Sequence, residues 1–189
     1  SVALGGSPTG SGGNGSYTYS WSPTTGLSNS TASNPILART VASVTTFTYT
    51  VTVTDGNLCV GTDQVDITFN PIPAIPTAAS PTPICVGGTD PTLTASGAGG
   101  AVFNWYSDAS LTTNVQTGAS YTPTVSGVAG TYQYYVTQTV LGCQSAARVV
   151  TVVVNPAVVA AAGSDATLCS GSSVALGGSP TGSGGNGSY

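Results

Sequence analysis

The chain has 189 residues and a net charge of −4, with two Arg, six Asp and no His, Lys, Glu or Met. The lack of His and Lys excludes a Ser-His-Asp triad, an imidazole metal site and a P-loop lysine. Two Arg cannot form a nucleic-acid-binding surface, and no apolar run approaches the length of a membrane span. We therefore expect no enzymatic activity, no cofactor, no nucleic-acid partner and no membrane-spanning segment, whereas a hydrophobic fraction of 40% suffices for a core.

Two repeats organise the chain. Residues 1–17 are identical to residues 173–189, which gives a period of 172 residues and indicates a window from a longer tandem array. Within the period, a Trp precedes a Cys by 38 residues twice, as Trp21 and Cys59 and again as Trp105 and Cys143. The period therefore contains two related domains. The predicted boundaries are 1–71 for a first domain whose first strand comes from the preceding repeat, 72–156 for the second domain, and 157–189 for the start of the next copy of the first.

Strand patterns follow one another along the chain. A Gly-rich loop is expected over residues 5–15, and Phe47–Thr54 then alternates aromatic or Val residues with Thr, which is typical of a half-buried strand. Asp55-Gly56 and Leu141-Gly142 indicate hairpin turns, because a type I′ turn needs positive φ. Residues 157–162 predict an entering strand, and no segment has helical periodicity. Further alternating strands are expected over residues 65–69, 132–137 and 150–154.

Many short strands with frequent turns predict an all-β fold of tandem immunoglobulin-like β-sandwiches with Greek-key topology. Each predicted domain has one central Trp well before its last hairpin, at position 21 or 105. That is where such a sandwich places its core Trp. We therefore expect Trp21 and Trp105 to be core residues rather than platforms for stacking sugars.

The sequence also resembles a known group of repeats. YTYSWSPTTGLSNSTASNP, followed by TTFTYTVTVTDGNLC, resembles the PKD-like repeats of large surface proteins of Bacteroidota. ICVGGTDPTLTASG, FNWYSDAS and GTYQYYVTQTVLGCQSAARVVTVVVNP resemble the Ig-like domains found beside them. The resemblance implies an extracellular or cell-surface location, as in gliding adhesins and filaments exported by type IX secretion. One departure is Trp21-Ser22-Pro23, where PKD domains proper carry a WDFGDG-like motif, so the match is to the PKD-like branch.

Four Cys in a chain without Lys indicate an oxidising, extracellular environment. Two disulfide schemes remain open. Within domains, Cys85 would join Cys143, and Cys169 would join Cys59 of the next copy. Between domains, Cys85 would join Cys59 of the following repeat, and Cys143 would join the Cys169 equivalent of the preceding one. The second scheme follows from sandwich topology, because a strand of about 23 Å separates the two ends while disulfide Cα atoms lie within about 7 Å.

A weak calcium site is a further candidate. Four oxygen-bearing residues surround one hairpin, and such oxygens are the ligands that Ca²⁺ prefers. The simpler interpretation is turn chemistry at the hairpin and a solvated strand face beyond it. The four candidate ligands are Asp55, Asn57, Asp63 and Asp66.

Two glycosylation sequons, at Asn14 and Asn29, lie in loop-like sequence. Both are weak candidates, because such short motifs arise often by chance in a chain rich in Ser and Thr.

The composition and the repeats favour a structural role. We expect a repeat unit of an extracellular filament or cell-surface stalk, whose partners are neighbouring repeats arranged head to tail. The alternative is an adhesin that binds polysaccharide or a surface through loops, with Tyr17, Tyr106 and Tyr121 as candidate contacts. If successive units are separate chains, residues 157–189 would complete the first domain of a neighbour by adding a strand.

Overall fold

The structure is a computed structural model that describes residues 1–178 and 182–184. The chain divides into two compact units, Ser1–Ile72 and Pro73–Tyr189. Every regular element within the described ranges is a β-strand. The all-β fold predicted from the strand patterns is therefore confirmed.

The first unit is built from two antiparallel sheets. β1 pairs with β3, and β4 lies between β2 and β5. The alternation of Phe47–Thr54 has the predicted effect, because Tyr49 and Val51 are buried while the Thr residues that alternate with them along β4 are partly or fully exposed. The five strands are β1 (Val2–Ala3), β2 (Thr18–Ser22), β3 (Ile36–Leu37), β4 (Thr45–Thr54) and β5 (Val60–Phe69).

The second unit contains a larger sandwich. One sheet has the order β11-β8-β6 and the other has the order β10-β9-β12-β14-β7, with β13 pairing with β12. The first strand of this sandwich is divided, because β6 pairs with β8 in one sheet while β7 runs parallel to β14 in the other. Its strands are β6 (Thr77–Ala78), β7 (Ile84–Cys85), β8 (Leu93–Ser96), β9 (Val102–Tyr106), β10 (Asn114–Thr117), β11 (Ser120–Tyr121), β12 (Gly130–Val140), β13 (Cys143–Gln144) and β14 (Arg148–Asn155).

Beyond this sandwich the chain continues into a short strand pair. β15 (Val158–Ala160) lies within the strand expected over residues 157–162. It pairs antiparallel with β16 (Gly182–Gly184), which belongs to the second copy of the 17-residue repeat.

Each unit has its own hydrophobic core. The first core consists of Leu4, Trp21, Leu37, Tyr49 and Val51. The second is larger and takes residues from both sheets, which shows that the two sheets pack face to face. Its buried members are Ala78, Leu93, Ala95, Trp105, Val125, Tyr134, Val136, Val150, Val152 and Val154.

The two hairpin turns differ. Leu141 and Gly142 both have positive φ, at 50° and 79°, between the paired residues Val140 and Cys143. This is the predicted type I′ turn. At Asp55-Gly56 the predicted hairpin forms between β4 and β5, but its turn is not type I′, because the N–H of Leu58 donates to the carbonyl of Asp55 and Leu58 itself has the positive φ of 65°.

Candidate functional site

The two Trp residues occupy matching places in the two units. Trp21 lies on β2 and is 3% exposed, while Trp105 lies on β9 and is fully buried. The indole N–H of Trp21 donates to the carbonyl of Ala32 at 3.0 Å, and that of Trp105 donates to the carbonyl of Gly118 at 3.1 Å. A buried and hydrogen-bonded indole has no face available for stacking on a sugar from solvent.

The carboxylate of Asp55 ties a loop of the first unit to the β4–β5 hairpin. Its Oδ1 accepts the backbone N–H groups of Asn57 and Cys59, both at 2.9 Å, and its Oδ2 accepts the N–H of Asn14 at 3.1 Å. The bond from Cys59 is the largest cause that holds the pKa of Asp55 below its ordinary value, against the opposing effect of burial. These bonds favour a turn with its left-handed residue at Leu58, which explains the failed turn prediction.

The four candidate calcium ligands do not converge on one point. Asp63 and Asp66 are three positions apart on β5, and alternate residues of a strand face opposite sides. Asp66 instead accepts the hydroxyl of Thr48 at 2.6 Å across the sheet. Within residues 1–178, no three His, Cys, Asp or Glu side chains are grouped so that they could hold a metal ion. The four residues therefore do not form the single predicted cluster, because strand alternation places Asp63 and Asp66 on opposite faces of β5.

Gln138 connects a loop of the second unit to β12, as Asp55 connects a loop of the first unit to the β4–β5 hairpin, but its side chain is neutral. It is 1% exposed on β12. Its Oε1 accepts the N–H of Ala98 at 2.9 Å, and its Nε2 donates to the carbonyl of Ala74 at 2.7 Å. The side chain thus fixes both the β8–β9 loop and the entering segment before β6. No pattern in the sequence indicates this role, since a lone Gln on an alternating strand resembles a surface residue.

Two further carboxylates of the second unit stabilise turns. Asp90 accepts the N–H groups of Val125 at 2.9 Å and Ser126 at 2.7 Å, and the Val125 bond is the main reason that its pKa is lowered. The hydroxyl of Ser110 donates to Asp108 and is the main cause of a pKa well below the usual range for that carboxyl. Asp108 is thus bonded within its own turn, whereas Asp90 connects the β7–β8 loop to the β11–β12 loop.

The cysteines of the second unit lie at opposite ends of its sandwich. Cys85 on β7 pairs with Asn155, at the end of β14, whereas Cys143 is the first residue of β13 and follows the Leu141-Gly142 turn that ends β12. The β12–β14 ladder extends from the Gly130–Val154 pair to the Val136–Arg148 pair between those two ends. A disulfide Cys85–Cys143 is therefore wrong, because the ladder spans about 20 Å and disulfide Cα atoms lie within about 7 Å. Cys59, Cys85 and Cys169 are exposed.

The three Tyr residues considered as surface contacts make contacts within their own units. Tyr121 packs against the Trp105 ring at 6.1 Å and the Tyr134 ring at 5.3 Å, so it extends the core rather than a surface platform. Burial raises the pKa of Tyr134 to about 12. Tyr17 donates its hydroxyl to the carbonyl of Gly12, and the hydroxyl of Tyr106 accepts the amide of Gln144 at 3.3 Å.

The sequon residues are both exposed. The amide oxygen of Asn14 accepts the N–H of Gly56 at 2.9 Å, and its Nδ2 donates to Asn57 at 3.2 Å. The amide oxygen of Asn29 accepts the N–H and the hydroxyl of Thr31. Asn14 is therefore part of the same loop-to-hairpin connection as Asp55, and attachment of a sugar to its Nδ2 would change that connection.

An open groove lies on the surface of the first unit. Two cavities of about 360 and 330 Å³ share Thr9, Val51 and Asp63. Their floor is apolar, and one rim is the glycine-rich segment after β1 while the other is β5. We call this feature the β1–β5 groove; its rims are residues 5–13 and 60–64. In the second unit the corresponding position is filled by β6 and β7.

One family of known domains is similar to the second unit. Residues 73–156 match a family model described as "Ig-like domain CHU_C associated". The second unit contains an Ig-like domain. None of the curated proteins compared with the chain matches it. Among solved structures, the chain is similar to the "I-band fragment I67-I69 from titin", with 13% identity and a TM-score of 0.37. That similarity covers 78% of this chain and 58% of the titin fragment.

The matched Ig-like segment ends with β14 and excludes β15. Because it begins at residue 73, it includes β6 and β7, the two pieces of the first strand. The first unit has no such strand among its described residues. Among residues 1–178 and 182–184, no helix has the length and apolar character needed to cross a membrane.

Proposed function

We propose that this chain is a structural repeat unit of an extracellular filament or cell-surface stalk built from tandem Ig-like domains. The observation that carries the proposal is the identity of residues 1–17 with residues 173–189, which frames two β-sandwich units within one period. Such arrays place domains in series, so that each contacts mainly its neighbours. The unit acts mechanically and has no catalytic role.

The ends of the sandwiches support a serial arrangement. Cys85 lies at the end of β14, from which the chain leaves for the next repeat, and Cys59 lies beside the β4–β5 turn. In the proposed array Cys85 joins Cys59 of the following repeat, and Cys143 joins the Cys169 equivalent of the preceding one. Each bond forms by transfer of two electrons and two protons to a disulfide-donating oxidase outside the cytoplasm. The entry to the second unit is restricted by Pro71, Pro73 and Pro76.

Electron microscopy of a chain with three consecutive periods tests the proposal. We expect an unbranched rod that lengthens by roughly 70–90 Å per period, as estimated from strand length and a linker. The matched control is Cys59→Ser with Cys85→Ser in every period, which should keep the spacing and increase the bending of the rod. Particles that are compact, or whose length does not grow with the number of periods, would contradict a filament role.

Binding measurements distinguish the adhesin alternative from the structural role. One period should show no saturable binding to polysaccharide-coated surfaces if its role is structural. Saturable binding that Tyr106→Ala abolishes would instead favour adhesion, since this ring is only half-buried and lies at the surface of the second unit.

A further inference from the structure

The same 17-residue sequence occurs in two structural contexts in this chain. In the second copy, Val158–Ala160 pairs with Gly182–Gly184, and the N–H groups of Gly177 and Gly178 donate to the carbonyls of Ala162 and Ala161 at 2.8 and 3.0 Å. The segment 158–163 thus lies antiparallel along the repeated sequence. We call residues 158–163 the donor segment.

In the first copy, the equivalent residues are the rim of the β1–β5 groove. Subtraction of the 172-residue period converts Gly177 and Gly178 to Gly5 and Gly6, and Gly182–Gly184 to Gly10–Gly12. All five of these rim residues line the groove, and Gly5, Gly6 and Gly12 are exposed. The backbone is also preformed in the same way, with φ of 95° at Gly5 and 101° at Gly177.

The chemistry of the donor segment matches the groove. Val158 and Val159 are 62% and 59% exposed, and the next three residues are Ala. The groove floor includes Val51, Val65 and Ile67, of which the last two are only partly buried. Small apolar side chains entering the groove would remove both apolar surfaces from water.

The second unit shows what a filled position looks like. There, the end of β6 and the segment that follows it lie along the outer edge of β14. The hydroxyl of Ser80 accepts the backbone N–H of Thr151 at 2.9 Å, and the carbonyl of Ala78 accepts the Nε–H of Arg148 at 3.3 Å. β5 of the first unit has β4 as its one strand partner within the described ranges. Its outer edge is available to another strand.

We propose that the β1–β5 groove binds the donor segment of the preceding repeat in the same polypeptide. This inference rests on the proposed tandem array. The donor segment ends ten residues before Ser173, the copy of Ser1, so in an array it stands directly ahead of the groove that it fills. Such a short connection gives a small entropic cost of closure and a high effective concentration. The end of each period therefore completes the first sandwich of the next.

The test adds a second copy of residues 157–172 in front of Ser1 of the full chain. We expect the melting temperature of the first unit to rise by about 5–10 °C, and amide exchange at Gly5, Gly6 and Gly10–Gly12 to slow by about tenfold or more. Both are measured against the same chain with a Gly/Ser extension of equal length. The matched variant places Val158→Asp and Val159→Asp in the added copy alone, and it should behave like the Gly/Ser control.

Three results would overturn the proposal. The first is an extension that changes neither melting nor exchange beyond the Gly/Ser control. The second is an equal effect from the double Asp variant. The third is protection of the groove in the unextended chain that depends on protein concentration and accompanies oligomers, because the donor would then come from a separate molecule. The rod spacing in electron microscopy is independent of these readouts, so failure here and failure of the filament role are distinguishable.

Discussion

The two units share a plan but differ in how well their interiors are closed. Val150, Val152 and Val154 on β14 are 0%, 0% and 2% exposed, whereas their equivalents on β5 are only partly buried. Those equivalents are Val65, Ile67 and Phe69, which precede Asn70-Pro71 as the three Val residues precede Asn155-Pro156. The central strands and the Trp are alike in both units. The difference is the first strand, whose two pieces cover β8 and β14 in the second unit.

A second difference concerns the side chain that connects the loop before the Trp-bearing strand to the last hairpin. The first unit uses the carboxylate of Asp55, which accepts the N–H of Asn14, and the second uses the amide of Gln138, which accepts the N–H of Ala98. A carboxylate titrates and an amide does not. The same structural task therefore responds to acid in one unit and not in the other.

The largest expected effect comes from removal of the central Trp. Trp105→Ala should lower the free energy of unfolding of the second unit by about 3–5 kcal/mol, because its ring is fully buried. Trp21→Ala should have a smaller effect on the first unit, because Trp21 lines the open groove and water can occupy the vacated space. Denaturant unfolding with amide exchange resolves the two units. Trp→Phe at each position is the matched control, and equal losses for the two Ala variants would contradict the comparison.

An intermediate effect is expected from loss of the Gln138 amide and its two hydrogen bonds. Gln138→Ala should destabilise the second unit by about 1–3 kcal/mol, because it leaves the carbonyl of Ala74 and the N–H of Ala98 without their partner. Gln138→Glu keeps an acceptor for Ala98 and removes the donor to Ala74 at neutral pH, so it isolates one of the two bonds. An Ala variant as stable as the parent would show that the amide does not hold the loop.

The smallest expected effect is the acid dependence of the stability that the Asp55 carboxylate gives to the first unit. The folded state lowers the pKa of Asp55 below its ordinary value of 3.8, so its ionised form stabilises the first unit above that pH. This contribution is lost as the pH falls through the lowered folded value. Asp55→Asn should reduce stability at neutral pH and flatten the decline of the first unit below about pH 4. The second unit of the same molecule is the internal control, and an unchanged acid decline of the first unit in the variant would refute the role of Asp55.

The sequence predicted the strands because alternation is a local property. Phe47–Thr54 and residues 150–154 fall within β4 and β14, and both Trp residues are buried. The turn at Leu141-Gly142 was also predictable, because its own two residues determine its conformation. The turn at Asp55-Gly56 was not, because its conformation depends on the Asp55 carboxylate, which also accepts the N–H of Asn14, 41 residues away.

The candidate sites were harder to predict, because each depends on distances between strands. Asp63 and Asp66 are close in sequence but face opposite sides of β5, while Tyr121 reaches the core through its contact with Trp105. The spacing of residues along the chain does not predict which side chains meet across the sandwich. The groove is an exception in part, because the duplicated 17 residues identify its rim once one copy is seen paired with the donor segment.

By itself the sequence determined the period of 172 residues, the all-β class and the two Trp-centred units, because repetition and alternation need no knowledge of distant contacts. The tertiary structure alone decided that Cys85 and Cys143 lie at opposite ends, that Gln138 is buried and that the first unit has an open groove. These features depend on which strand lies beside which. That choice is made by packing across the sandwich, where residues far apart in the chain exclude water together.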